Sequence, residues 1–198
     1  MIIYYNLNGD LMKNKTDLRI IKTNNALFNA LLELMKEKTF EEIKVSDVCS
    51  KALVNRSTFY AHYNDKYELL IALIDGLKKN LLSDLKTNEN DINTKEYFMK
   101  MLELLINHID QKRNIYTAIL INNRNGILMD ILLDVINKDV SERIKNKSTV
   151  SANIPSAIIA KFYLGAIIGI GVEWLENGNK YTKQELLNYF DILIPDKI

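Results

Sequence analysis

Apolar side chains recur at helical spacing in one segment after another along this chain, and little interrupts them. From Asp17 to Lys38 they fall at Ile20, Ile21, Leu27, Phe28, Leu31, Leu32 and Met35, a pattern that gathers on one face of a helix. Thr16 or Asp17 is available to cap that helix, and Thr39-Phe40 closes it. Two prolines and seven glycines in 198 residues are too few for a turn-rich β fold, so the expected class is all-α.

The same reading continues to the end of the chain. A short helix is expected near Val45 to Lys51, then a break at Ala52-Leu53-Val54-Asn55, then a second short helix from Arg56 to Tyr63 with Asn55 as its cap. A much longer helix follows Asn64-Asp65-Lys66, with a stripe of Tyr67, Leu70, Leu73, Ile74, Leu77, Leu81 and Leu85, and it ends before the polar loop Thr87 to Asp91. Further helices are expected over Lys95 to Ile109, Tyr116 to Ile121 and Ile127 to Ile144, from Pro155 to Glu176, and over about Thr182 to Leu193. That makes nine helices. The domain boundary is placed inside the fourth, giving an N-terminal module over residues 12–75 and a larger helical one over 76–198.

Composition narrows the class of function. With 47% hydrophobic and 26% charged residues the chain is an ordinary folded protein, and its net charge of +1 selects no partner by itself. The single cysteine, Cys49, excludes an intramolecular disulfide and reads as a small buried apolar residue; with only His62 and His108 beside it, no metal site is expected and no cofactor is implied. The expected compartment is the cytoplasm. The start, Met1 to Asn6, is too short an apolar run for a signal peptide, and Lys161 interrupts the apolar stretch from Ala157 to Ile170, so no membrane span is expected. Met12-Lys13-Asn14-Lys15 looks like an alternative start, which leaves residues 1–11 either a short tail or a stretch upstream of the true beginning.

The break between the two short helices carries the functional signal. Val45, Val48 and Cys49 lie on one side of the first and Lys44, Ser46 and Asp47 on the other, as in a helix packed across its successor. The second can bury Phe59 and Tyr63 while Arg56, Ser57, Tyr60 and Ala61 face outward. Such a donor-rich helix start suits a DNA major groove, where Arg can grip a guanine edge with two hydrogen bonds.

At Val54-Asn55-Arg56-Ser57-Thr58-Phe59-Tyr60-Ala61-His62-Tyr63-Asn64-Asp65-Lys66-Tyr67-Glu68-Leu69-Leu70 the chain resembles the TetR/AcrR family of transcription regulators, and the match covers roughly residues 17–75. The resemblance implies an N-terminal three-helix helix-turn-helix module joined through a long fourth helix to a helical dimerisation and effector domain. It implies that Arg56, Ser57 and Tyr60 face bases, with Ser46 near the groove. It also implies that Thr58, Tyr60, His62, Lys66 and Lys44 hold phosphates. Two departures stand out. Leu53 occupies the turn position where the family usually has Gly, and a left-handed backbone there costs a Leu roughly 1–2 kcal/mol, so a slightly different turn is expected. Ala61 replaces the larger aromatic of some relatives, which would weaken or shift contacts.

The second half, most clearly Phe162 to Leu175, resembles the C-terminal module of many Firmicutes members. Gly165 and Gly169 share a helical face and would admit a second helix closely, and with Leu186 and Phe190 of the last helix they suggest a four-helix dimer interface. Phe98, Met101, Tyr116, Met129, Phe162, Tyr163 and Trp174 are core by default and the candidates for lining an effector pocket. The resulting expectation is a homodimeric, ligand-responsive repressor that binds a near-palindromic double-stranded operator, with a small-molecule effector of unknown identity. The alternative is a co-regulator of the same fold acting through protein contact. No nucleophile–base spacing, carboxylate pair or phosphate loop suggests an enzyme.

Overall fold

The structure, a computed structural model, describes residues 15–83, 93–147, 154–177 and 180–196. The first residues and possible alternative start, Leu85, the loop from Thr87 to Asp91, most of the stretch between Lys145 and Asn153, and Gly178-Asn179 lie outside them, as does the side chain of Leu81. Among the described residues there are nine α-helices and no strand: α1 Lys15–Met35, α2 Val45–Ala52, α3 Arg56–Tyr60, α4 Lys66–Ser83, α5 Thr94–Gln111, α6 Arg113–Asn123, α7 Ile127–Lys147, α8 Ser156–Glu176 and α9 Lys183–Leu193. The order and number are those that the apolar periodicity implies. Because α1 already runs at Lys15, Thr16 and Asp17 lie inside it and are not its cap.

The helices form two compact units. The first holds α1 to α4 together with Ala118–Leu132, the end of α6 and the start of α7; the second holds the rest of α6 and α7 with α5, α8 and α9.

In the first unit α1 buries Leu27, Phe28, Leu31, Leu32 and Met35, as its stripe predicts, while Ile20 is exposed. In α4 the buried line is Leu69, Leu70 and Leu73, and Tyr67 at the head of the expected stripe is exposed. Its ring still meets the buried Phe40 edge-on at 5.4 Å, so it covers the core without entering it.

Phe40 anchors the connection from α1 to α2, and most of the polar chemistry of this unit converges on that connection. The side chain of Asn123, at the end of α6, is fully buried. Its Oδ1 accepts the Phe40 N–H at 2.7 Å, and its Nδ2 donates to the carbonyls of Met35 at 3.1 Å and Ile119 at 2.9 Å. Next to it, Asn122 Nδ2 donates to the Lys36 carbonyl at 2.7 Å. From the other side of the turn the Ile127 N–H donates to Glu41 Oε1 at 2.7 Å, and this bond is the main reason the Glu41 carboxyl sits below its ordinary value. A Cβ on Gly126 would stand 2.8 Å from the same oxygen, so a side chain there would push Glu41 off the helix start.

The second unit packs Leu102 and Ile106 of α5, Ile144 of α7, Ile159, Ala160 and Trp174 of α8, and Leu186, Phe190 and Ile194 at the C-terminal end. Asn93 caps α5 by accepting the Glu96 N–H at 2.8 Å, and Thr182 caps α9 in a reciprocal pairing with Glu185. Trp174 lies inside this core, its Nε1 donating to the Tyr181 carbonyl at 3.2 Å and the Arg113 guanidinium lying over its ring at 4.2 Å.

His108 is the one described group of this unit that burial moves strongly. Its Nε2 lies 2.9 Å from the Tyr116 hydroxyl, and burial, helped by the charge of Lys112, pushes the imidazole down to about 4. The neutral ring is therefore the folded form.

Two outcomes are expected. Asn123→Ala leaves the buried Phe40 N–H without an acceptor and should lower stability by about 1–3 kcal/mol, read as a lower urea midpoint for the whole chain. As pH falls from 6.5 towards about 4, the unfolded chain binds a proton at His108 that the folded chain refuses. Stability should decline through that window, and the decline should be shallower in His108→Gln, followed by thermal melts across the pH series.

Candidate nucleic-acid interface

The α2–turn–α3 segment is built on three buried side chains. Val48 and Cys49 of α2 and Phe59 of α3 point inward, and burial raises the Cys49 thiol above its usual value, as suits a small core residue. The Phe59 ring lies 5.9 Å from that of Tyr63, and Tyr63 meets Phe28 of α1 at 6.4 Å. Burial pushes the Tyr63 phenol up to about 12. With those side chains fixed, the opposite face of α3 has to look out.

The α-helical part of α3 is shorter than the expected span. It ends at Tyr60, and Ala61 to Tyr63 continue in a tight turn in which the Tyr63 N–H donates to the Phe59 carbonyl at 2.9 Å. The turn before it is closed at Leu53, with φ 56° and ψ 39°, the one non-glycine residue with positive φ among those described. The Val54 N–H donates to the Cys49 carbonyl at 3.0 Å and the Leu53 N–H to the Ser50 carbonyl at 3.3 Å, which satisfies the end of α2. The expectation of a different turn is thus corrected. The left-handed geometry that glycine usually supplies is kept, and leucine bears its cost because the closing hydrogen bonds require it.

Arg56, Ser57 and Tyr60 are all exposed on the outward face of α3, Tyr60 to 57%, with its ring edge-on to Phe59. Thr58 is half-buried on the flank. His62 is half-buried with its ring 6.2 Å from that of Tyr63. Ser46 is half-buried on α2 and Lys44 is exposed just before it. An open groove of about 480 Å³ joins Ser46 to Arg56, bounded also by Ser50, Leu53 and Asn55. Asn55 holds the cap position of α3 but makes no capping hydrogen bond through its side chain. Ser50 and Asn55 were missed from the sequence; the four-residue step from Ser46 to Ser50 was the signal that could have shown the first.

The charges near this face are sorted by pairing. The Lys38 ammonium is held by Asp47 at 2.6 Å and that of Lys51 by Glu37 at 2.6 Å, and both carboxyls are lowered by these bonds. Lys44 and Arg56 carry no such ion pair among the described residues.

Lys66 requires a correction. Its Nζ donates to the carbonyls of Phe40, Glu41 and Ile43 at 2.8–2.9 Å, and the ammonium lies 4.9 Å from the centre of the Phe40 ring. Burial draws it below the ordinary lysine value, and Glu41 beside it pushes the other way. An ammonium has three donors, and all three are taken. Lys66 therefore ties the start of α4 to the α1–α2 connection, and no donor is left for a phosphate.

The candidates of the second half are scattered. Phe98 and Tyr163 border a small apolar cavity of about 30 Å³, with Val140, Ile144, Leu164, Ile167 and Ile194. That volume holds about one water and not a small-molecule effector. Met101 is half-buried, Tyr116 pairs with His108, and Trp174 is core. Phe162 is 72% exposed, and Met129 falls in the first unit. Gly165 and Gly169 are exposed, with nothing within 4 Å of an added Cβ. Leu186 and Phe190 do not share that open surface: they are 2% and 3% exposed inside their own unit's core, because α9 turns its apolar face onto α5 and α8.

Comparison with known proteins agrees with this layout. Residues 27–73 match the family described as bacterial regulatory proteins, tetR family, and residues 96–196 match the family described as transcriptional regulator C-terminal region. The HTH-type transcriptional regulator YxbF of Bacillus subtilis is 26% identical over 192 residues, covering 93% of this chain and 49% of its own length, so the chain spans about half of that relative. The HTH-type dhaKLM operon transcriptional activator DhaS of Lactococcus lactis is 25% identical, covering 82% of this chain and 84% of its own. Among solved structures, a TetR transcriptional regulator from Streptococcus agalactiae superposes with a TM-score of 0.61 at 28% identity, covering 90% of this chain and 96% of its own. Lin0861 from Listeria innocua gives 0.61 at 21% identity, with 96% and 97% covered.

The contrast between Lys66 and Arg56 is testable by stability alone. Lys66→Met removes three hydrogen bonds to carbonyls and should destabilise by about 1–3 kcal/mol. Arg56→Ala, on an exposed face, should stay within about 0.5 kcal/mol of the parent. Thermal melts of the two variants give the comparison.

Proposed function

The chain belongs to the TetR family and is a DNA-binding transcriptional regulator, and on that premise we propose that it acts as a homodimer on a near-palindromic operator, two copies of α3 entering successive major grooves. The observation that carries this reading is the outward face of α3, where Arg56, Ser57 and Tyr60 stand exposed with no role in the core. Arg56, Ser57 and Tyr60 are assigned to bases with Ser46 beside them, and Lys44, Thr58, Tyr60 and His62 to phosphates. Lys66 is assigned to positioning. The N-terminal module assigned to DNA is the helix-turn-helix over 12–75, and the remainder is assigned to dimerisation and response.

The dimer reading is supported by the free side of α8. Ile158, Phe162, Gly165, Ala166 and Gly169 lie on one exposed stripe, and Tyr189 and Ile192 project from α9. α8 is also long and apolar enough to cross a membrane, by length and composition only. Lys161 and Glu173 on its exposed side, and glycines that admit a helix closely, favour a second copy of this chain instead. Cytoplasm is the compartment this reading implies.

Repression by occupying the operator, relieved by a small molecule, completes the proposal. The space beside Phe98 and Tyr163 is its place, lined by apolar side chains that an effector would have to part. Such opening couples to DNA affinity if the two states bind the effector differently, typically by about 1–3 kcal/mol. A second reading, activation in place of repression, is favoured by the relative DhaS, named as a transcriptional activator of its operon.

Selection from a random-sequence duplex pool, followed by titration of the recovered duplex, tests these assignments. The double variant Arg56→Ala, Tyr60→Ala should bind at least about tenfold more weakly, and affinity should fall steeply with salt. Phe162→Glu should sediment as a monomer with unchanged helicity. Wild-type binding by the double variant removes the contact assignment, and recovery of no duplex favours co-regulation.

A further inference from the structure

Leu53 is built against local preference with no return inside the chain. Its backbone closes α2 in the left-handed region, a task glycine performs with less strain, and its side chain is 94% exposed. Folding gives no reason for a leucine here. What the side chain does adjoin is the groove that joins Ser46 to Arg56, with Ser50 and Asn55 on its other borders. Ser46 and Ser50, four apart, share one side of α2, and Leu53, the residue that ends the helix, borders the same groove. The polar members offer donors for phosphate and base edges, and Leu53 is the large apolar group that projects among them.

We propose that Leu53 is a further operator contact, packing against apolar C–H surface of double-stranded DNA and setting part of the sequence preference. That surface is the 5-methyl group of a thymine or the deoxyribose carbons beside a contacted phosphate. The inference rests on the reading that α2 and α3 form the DNA interface. Continuity favours DNA over a protein as the cover, since Ser46 and Arg56 on the same groove are assigned to the operator. On this account the strain at the turn persists because the side chain it carries is used only in the complex. A thymine methyl is the apolar mark that distinguishes that base in the major groove, and an aliphatic side chain is its ordinary reader.

The probe is the duplex recovered by selection with the full-length wild-type chain, and the proteins compared are wild type, Leu53→Met, Leu53→Asn, Leu53→Gly and Arg56→Ala. Asn and Gly accept the left-handed region, so those two variants should melt at or above the wild-type temperature and yet bind the probe about threefold to tenfold more weakly. Leu53→Met keeps an apolar body and should bind like the wild type. Replacing each thymine in turn by uracil separates the two DNA surfaces. A position where the lost methyl weakens wild type but not Leu53→Gly identifies a thymine contact, and no such position identifies deoxyribose.

Wild-type affinity in Leu53→Asn and Leu53→Gly, on a probe that Arg56→Ala binds weakly, overturns the proposal and leaves the interface standing. A Leu53→Met variant as weak as the glycine variant overturns it too. If Arg56→Ala binds as well as wild type, or no duplex is recovered, it is the underlying interface that fails, and the proposal falls with it.

Discussion

The connection between α1 and α2 is held from two directions, and the placement of α3 depends on that hold. Lys66 brings one positive charge to three carbonyls of the connection, those of Phe40, Glu41 and Ile43. Asn123 takes the Phe40 N–H and gives its own donors to Met35 and Ile119. Between them the backbone around Phe40 has its polar groups satisfied where no water would serve, which is what lets the Phe40 ring be fully buried. α2 starts directly after this connection, and α3 is packed on α2 through Phe59, so loosening at Phe40 is passed to the outward face of α3.

The same arrangement explains how a chain of nearly neutral charge can present a face to DNA. Lys38, Lys51 and Lys66 are each engaged within the first unit, two by carboxylates and one by carbonyls. Beside the groove, Lys44 and Arg56 stand outside any ion pair among the described residues, with hydroxyl and ring donors around them. Affinity in such an interface comes from placement as much as from charge, and placement is what the Phe40 hub secures.

In the second unit the physical division is between a sealed interior and an open helix face. Trp174, Leu186 and Phe190 close the core of that unit, and the cavity beside Phe98 and Tyr163 is of water size. The opposite side of α8 carries glycines with open space above them and a phenylalanine in solvent. A contiguous apolar stripe of this kind is costly to leave wet.

The helices, their order and the position of the break between α2 and α3 were legible because each is a local property. A helical stripe and a two-helix break are written within a few neighbouring residues, and so was the outward set of Arg56, Ser57 and Tyr60 once Phe59 and Tyr63 were placed inside. Side-chain partners were a different matter. Asn123 bonds a residue 83 positions away, and nothing near it in the sequence marks it as more than the polar end of a helix. Lys66 looked like a phosphate anchor because the family resemblance implied it, and Leu186 and Phe190 looked like interface residues because helical spacing says that residues share a face but not what covers it. Only packing between distant segments decided those roles, since the free energy of burying a side chain or satisfying a buried donor depends on which surface arrives opposite it. The sequence by itself determined that two short helices would meet at Leu53; that the leucine would keep the left-handed turn and stand almost wholly in solvent was settled by the hydrogen bonds closing α2.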